Sequence, residues 1–368
     1  ISPDNQSVEL GLSDGWVGDK RWSNGVTLSF SRSQKNNVPQ RAPGGEYYTW
    51  RNEDTVRPLG ITGVYDGQLP DSQYLMQYVY YRLALGYTTG YTFMFDAGRL
   101  TLSAGLSLGL NHAQYDDFSD PFEKLISQYH QGWKFSNRMT LSATWDGRDL
   151  IENTTRGYLV SQSFTYAGGV LGGLSNYIRS TTSAAGYLTA FEIPGDTPTK
   201  GVVSLNTSLS LMLRQYWKME GDSAWALHDP RDGATKYEML YLDGMTVGRG
   251  FNPVFGQSFM WDNMLELSIP VVQNLLAAEV FVSATGLYKD PVKDLDLGRL
   301  QWYFAGGAGL KLKIPGFPLG LYLVKNATFN KAGSGSFGWE HGDIFNPNPS
   351  AQDGRGLTLV LAITTSLY

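Results

Sequence analysis

The stretch Leu100-Thr101-Leu102-Ser103-Ala104-Gly105-Leu106-Ser107-Leu108-Gly109-Leu110-Asn111-His112 alternates strictly. Leu100, Leu102, Ala104, Leu106, Leu108 and Leu110 fall on one face. Thr101, Ser103, Gly105, Ser107, Gly109 and Asn111 fall on the other. A period of two is the period of an extended strand. Its polar face carries small uncharged groups, whereas the water-facing side of a soluble sheet usually carries many charges. The run also exceeds the roughly 9 to 11 residues that a tilted strand needs to cross a bilayer. A strand in hydrocarbon must pair on both edges, so it belongs to a sheet that closes on itself.

The pattern repeats outward from that stretch. In Trp133 to Trp145, Trp133, Phe135, Met139, Leu141, Ala143 and Trp145 oppose Lys134, Ser136, Arg138, Thr140, Ser142 and Thr144. Further strands are predicted over Ser7 to Ser13, Val26 to Ser33, Tyr74 to Tyr87, Tyr158 to Ala167, Asn176 to Phe191 and Val202 to Trp217. Beyond these come Met264 to Val272, Ala277 to Tyr288, Leu300 to Ile314, Leu319 to Phe329 and Gly356 to Tyr368. Short links (146–156, 194–200, 273–276, 315–318) alternate with long ones (34–73, 111–131, 218–263, 330–355). Short turns on one side and long loops on the other mark a transmembrane barrel. About thirteen strands are legible by these signals. A hairpin hidden near 46–50 and 59–65 would add two, and a strand upstream of residue 1 would bring the sum to about sixteen. A large soluble β-sandwich or propeller stays open as the alternative.

Composition narrows the class. Of 368 residues, 17% are charged, below the roughly 25% of soluble domains. Mean hydropathy is -0.24, and no uncharged apolar run reaches the roughly 18 residues a spanning helix needs. There is no cysteine, hence neither disulfide nor thiolate metal site. A net charge of -5 argues against a nucleic-acid partner. The N-terminal residues have neither the basic start nor the apolar middle of a signal peptide. Residues 1–368 read as a single barrel domain.

Five short motifs occur in order on this background. They are Trp145-Asp146-Gly147-Arg148-Asp149 with Thr155-Arg156-Gly157-Tyr158; Gly248-Arg249-Gly250-Phe251 with Gly256; Met264-Leu265-Glu266-Leu267-Ser268-Ile269-Pro270; Gly307-Ala308-Gly309-Leu310-Lys311 with Pro315 and Pro318-Leu319-Gly320; and the aromatic-ended last strand. Together they resemble the Omp85 family of outer-membrane β-barrels, and most closely its assembly-factor branch. The resemblance implies a barrel of about 16 strands whose sixth loop folds back into the lumen. It implies that Arg249 pairs there with Glu266, while Gly248, Gly250, Phe251 and Gly256 shape the loop tip. It implies a seam between the first strand and the last, carried here by Leu357, Leu359, Leu361, Ile363, Leu367 and Tyr368. This chain departs from the family pattern at Gly248, where Val is usual, at Ser283, where Asp is usual, and at Tyr368, where Phe is usual. The loop arginine is therefore expected to lack one of two acidic partners.

The function implied is an insertase core that assists other barrels, with outer-membrane lipids, client barrels and accessory lipoproteins as partners and with no cofactor. The periplasmic POTRA domains of the family are expected to lie outside this chain. A secretion pore of the same superfamily, or a porin-like channel, is the alternative. An enzyme is not expected. His112, His130, His228 and His341 are scattered without ligand spacing, and no serine is singled out beside a histidine. Asp116, Asp117, Asp120 and Glu123 read as a solvated acidic loop, and Asp146, Arg148, Asp149 and Arg156 as a turn held by local ion pairs.

Overall fold

The structure, a computed structural model, describes residues 5–15, 20–39, 75–116, 119, 121, 124–151, 153–195, 198–219, 223–235, 237–273, 275–290, 295–312, 319–331, 337–341 and 357–363. Eight long strands come first: β1 (Asn5–Asp14), β2 (Trp22–Pro39), β3 (Leu75–Phe95), β4 (Gly98–Gln114), β5 (Lys134–Asp146), β6 (Gly157–Ala167), β7 (Tyr177–Ile193) and β8 (Thr199–Leu213). Four short strands follow inside one loop: β9 (Gln215–Trp217), β10 (Ala226–His228), β11 (Leu240–Leu242) and β12 (Val254–Gln257). The wall resumes with β13 (Phe259–Val272), β14 (Leu276–Tyr288), β15 (Gln301–Leu312), β16 (Leu319–Lys331), β17 (Phe337–His341) and β18 (Leu357–Ile363). Among the described residues two short α-helices, α1 (Lys124–His130) and α2 (Pro230–Gly233), lie in the long loops.

The wall is one antiparallel sheet in chain order, in which β8 pairs directly with β13. β17 and β18 pair with different halves of β16, Ala327–Lys331 and Leu319–Lys325. They therefore share one place, so among the described residues fourteen strands fill thirteen positions. Two features of the chain show that the sheet curls around a lumen. Tyr237 lies 4.9 Å from the Lys35 ammonium of β2, while Arg249, on the same loop, packs against β14 and β16. One loop thus touches both ends of the sheet, which only a coiled sheet permits.

The alternation has the direction expected of a membrane barrel. Leu102, Leu106 and Leu108 point outward and are exposed, as are Leu83, Leu85, Val280 and Val282. Ser136, Ser204, Ser210, Ser283 and Thr285 are buried on the inner side. Aromatic girdles edge the outer face. Tyr81, His112 and Trp133 stack at the long-loop end, and Trp22, Tyr91 and Phe93 cluster at the other. Ten residues separate Tyr81 from Tyr91 on β3. At about 3.4 Å per residue and about 40° of tilt, that is about 25 Å, the height of the apolar band of such barrels.

Several sequence expectations are corrected. β2 runs to Pro39, so the link expected from residue 34 begins later. β3 continues through Thr88-Thr89-Gly90 to Phe95 and turns over Asp96-Ala97. β4 extends to Gln114, and the loop after it contains α1. In β2 and β4 cross-strand hydrogen bonds carry the strand past the membrane band, where no apolar face is required, whereas β3 crosses within the band through Thr88-Thr89-Gly90, whose small polar residues interrupt the pattern. The run Val202 to Trp217 breaks at Arg214 into β8 and β9, because β8 ends on β13 while β9 turns inward to pair with β10. β17 lies within a link read as loop. The hairpin expected at 46–50 and 59–65 lies outside the described residues, as do Leu367 and Tyr368.

Candidate functional site

The loop between β8 and β13 is built by local chemistry. The carboxylate of Asp243 accepts hydrogen bonds from the N–H groups of Met245, Thr246 and Val247 at 2.8, 2.8 and 2.9 Å. The Thr246 hydroxyl donates to it as well. This ties the chain into a tight turn, closed by Gly250 N–H donating to Gly244 O at 2.9 Å. Gly248 and Gly250 have φ of 63° and 82°, a region costly for residues with a Cβ. A Cβ on Gly250 would also lie 3.0 Å from the Asn326 amide. The turn thereby presses Arg249 and Phe251 against the inner wall.

Arg249 is 2% exposed. Its guanidinium carbon lies 4.5 Å from the centre of the Phe281 ring and 4.4 Å from that of Tyr322. Nη1 is 3.8 Å from Glu266 Oε2. Nε and Nη1 have no hydrogen-bond partner among the described residues. The two rings, not a bidentate carboxylate, form the immediate seat of this cation. A desolvated cation over an aromatic ring gains about 2 kcal/mol or more. Phe251 packs edge-on to Tyr303 at 5.2 Å and joins a core with Leu242, Phe281, Tyr322 and Val324.

The register of the wall explains the seat. Glu266 of β13 pairs with Phe281 of β14, and Phe281 pairs with Gly307 of β15. Glu279 of β14 pairs with Gly309 of β15, which pairs with Tyr322 of β16. The inward positions of β15 are therefore empty where the rings must lie. A Cβ on Gly307 would meet the Phe281 ring at 3.0 Å, and one on Gly309 the Tyr322 ring at 2.5 Å. Tyr322 donates to Glu279 Oε2 at 2.6 Å, and the Lys311 ammonium lies 3.2 Å from Glu279 Oε1. Two cations, Arg249 and Lys311, thus balance two carboxylates, Glu266 and Glu279, inside the wall.

A family model described as the Omp85 superfamily domain matches residues 1–331. The chain belongs to the Omp85 superfamily. It is accordingly a β-barrel of the bacterial outer membrane. A Treponema pallidum (strain Nichols) protein, provisionally named an outer membrane protein assembly factor, is 23% identical over 303 residues. The match covers 78% of this chain and 34% of that protein, so the chain spans about a third of this relative. Among solved structures, BamA from Haemophilus ducreyi lacking POTRA domains 1-3 aligns with a TM-score of 0.54 at 14% identity. That alignment covers 91% of this chain and 61% of the other. CdiB from Acinetobacter baumannii aligns with a TM-score of 0.52 at 12% identity, covering 91% and 48%.

The Omp85 barrel brings Gly248, Arg249, Gly250 and Phe251 together near Glu266. Gly256 sits apart in β12, at φ 72° with open space around it. Ser283 faces the lumen, where the family pattern has an acid. Sequence reasoning missed Phe281, Tyr322, Glu279 and Asp243. The first three were legible only as inward positions of strands whose register was unknown. Asp243, followed by Gly244, carried the local signal of a turn.

The turn at 146–156 contains one of the expected local ion pairs, and Asp149 is organised differently. Asp146 pairs with Arg148 at 2.9 Å and, across the sheet, with Arg99 at 2.7 Å. Asp149 instead accepts from the N–H groups of Leu150, Thr155 and Arg156 and from the Thr155 hydroxyl. Burial pushes the Asp149 carboxyl up, but these donors outweigh it and hold it down at about 2.

At the seam, Leu359 and Leu361 face outward and Val360 and Ala362 inward. Leu357 and Ile363 bound β18, pairing with Lys325 and Leu319. β1, at the other end of the sheet, is exposed along its whole length. Among the described residues no ladder joins β1 to β18.

Proposed function

We propose that this barrel is the insertase core of an outer-membrane protein assembly factor, which helps other barrels fold and insert. The observation that carries the reading is the state of the two sheet ends. Among the described residues β1 exposes every side chain and pairs on one side only, and the facing end of the sheet is divided between β17 and β18. Unpaired N–H and C=O groups are costly in hydrocarbon, so such an edge invites another strand. A client strand that pairs there gains a template. The loop held by Arg249 supports the wall at β13, β14 and β16 while the ends move. No covalent step, metal or cofactor takes part. Lipids and client barrels are the direct partners, with accessory lipoproteins and periplasmic domains completing the machine.

The test is depletion of the full-length protein in its own organism, followed by quantification of unrelated outer-membrane barrels. A common fall, with precursors accumulating in the periplasm, is expected. Loss of a single secreted protein or solute flux, with other barrels unchanged, would instead mark a dedicated secretion pore.

A further inference from the structure

Beneath the long loops the inner wall holds a small polar cavity. Its lining includes Arg82 of β3, Ser136 and Arg138 of β5, Ser175 and Tyr177 at the entry to β7, and Glu238 of the loop after α2. It has room for about one water-sized guest. The strand pattern aims these groups inward. Asn111 and Ser136 are buried on the inner side. Arg82 pairs with Asn111, and Arg138 follows Ser136 by two residues, so both arginines share that side. Gly109, two residues before Asn111 on β4, leaves the floor open. The point where its Cβ would stand is 2.8 Å from Ser136 Oγ and 3.6 Å from Arg82 Nη2. The hydroxyl and the guanidinium therefore converge.

Donors outnumber acceptors here. The Asn111 amide donates to Ser136 Oγ at 2.6 Å, which leaves the Ser136 proton free to donate in turn. Ser136 is itself 7% exposed. Glu238 is the carboxylate of the lining, and both its oxygens are taken. Oε1 accepts from Ser175, and Oε2 accepts from the Thr235 N–H and hydroxyl. Arg179 donates to the Glu238 carbonyl and so offsets that carboxylate, with its Nε left unpartnered among the described residues. Arg82 and Arg138 have no ion pair among the described residues. Two positive charges thus face the cavity without a counter-charge. Partly desolvated cations of this kind are costly, and their field draws an anion. A water in the same place would satisfy hydrogen bonds but not the charge.

We propose that this cavity binds a monatomic anion, chloride, held by Arg82, Arg138 and the Ser136 hydroxyl. The ion supplies the missing counter-charge and ties β3 and β5 to the loop that carries Glu238. A polyatomic oxyanion is too large for the space. The site is independent of the assembly reading, and its test uses no client protein.

The experiment soaks crystals of the full-length protein in sodium bromide and collects data at the bromine absorption edge. An anomalous peak in contact with Arg82 and Arg138 is expected. A cavity holding only water would overturn the proposal. In detergent, heat-modifiable mobility is followed as sodium chloride or bromide replaces sodium gluconate at constant ionic strength. Both halides are expected to raise the melting temperature of wild type. R82Q and R138Q should need roughly tenfold more halide for the same rise, the value of one charge-assisted hydrogen bond. An equal halide response in wild type and both variants would refute the site. So would a bromide peak without any melting shift, which would mark binding at crystal concentration only. If neither variant folds, S136A, which keeps both charges, takes their place. A weaker halide response is expected of it, and an unchanged one would overturn the proposal.

Discussion

Arg249 shows how a single residue is held by geometry that its neighbours in sequence do not disclose. The guanidinium is seated by Phe281 and Tyr322 at 4.5 and 4.4 Å, with Glu266 at 3.8 Å as a charge partner. On the proposed insertase function, Arg249→Glu is expected to abolish assembly of client barrels. Adding Glu266→Arg should restore only part of it, because the exchanged arginine would leave the two rings. Full rescue would show that charge alone matters, and an active single variant would show that the seat does not. The ring slots give a sharper test. Gly309→Ala puts a Cβ 2.5 Å from the Tyr322 ring, whereas Gly306→Ala meets nothing nearer than 3.7 Å. Crowding of this kind typically costs about 1–3 kcal/mol. Heat-dependent gel mobility should show Gly309→Ala unfolding several degrees earlier and Gly306→Ala unchanged. Tyr322→Phe removes the donor to Glu279, 2.6 Å away, and strands a buried carboxylate oxygen at a cost of about 1–3 kcal/mol. The same gel assay reads it.

At the scale of the element, the 146–156 turn is ordered by one carboxylate. Asp149 gathers three N–H groups and a hydroxyl, and so holds its proton less tightly in the folded turn than in the unfolded chain. A carboxyl lowered in the folded state stabilises it above the unfolded value near 3.8 and ceases to do so as pH falls toward about 2. Asp149→Asn should therefore melt below wild type at neutral pH, with the gap closing between about pH 4 and pH 2. Thermal melts in detergent across that range check it, and a gap independent of pH would refute the titration. The strands themselves were legible, because Leu100 to His112 alternates as a lipid-facing wall must. Their ends were not. Gln34 to Pro39 and Ala113 to Gln114 remain paired beyond the apolar band, where hydropathy carries no signal.

In the whole molecule the long loops meet over the lumen. Ser175 is 2% exposed and donates to Glu238 Oε1 at 2.7 Å. Its proton is thus committed, so the Tyr129 hydroxyl, 3.2 Å away on α1, must donate to Ser175. Burial, reinforced by the Glu238 carboxylate, pushes the Tyr129 hydroxyl up and keeps it a donor. Arg179 of β7 donates to the Glu238 carbonyl. Three loops and the wall are joined by this chain of contacts. Ser175→Ala is expected to loosen the cap and raise the ion conductance of the barrel in planar bilayers severalfold. Conductance equal to that of wild type would show that the cap does not depend on the relay.

The sequence by itself determined the wall. Period-two alternation, low charge and the order of long and short links suffice for a membrane barrel, because each strand must satisfy lipid on one face and a lumen on the other. It also marked Arg249 and Glu266, through local glycine chemistry and a resemblance of short motifs. Only the tertiary structure decided what surrounds them. Phe281, Tyr322 and Glu279 come from strands aligned by cross-strand register, which depends on every turn between them. Register also decided that Tyr322 faces the lumen, since moving β16 by one residue would have turned it toward the lipid.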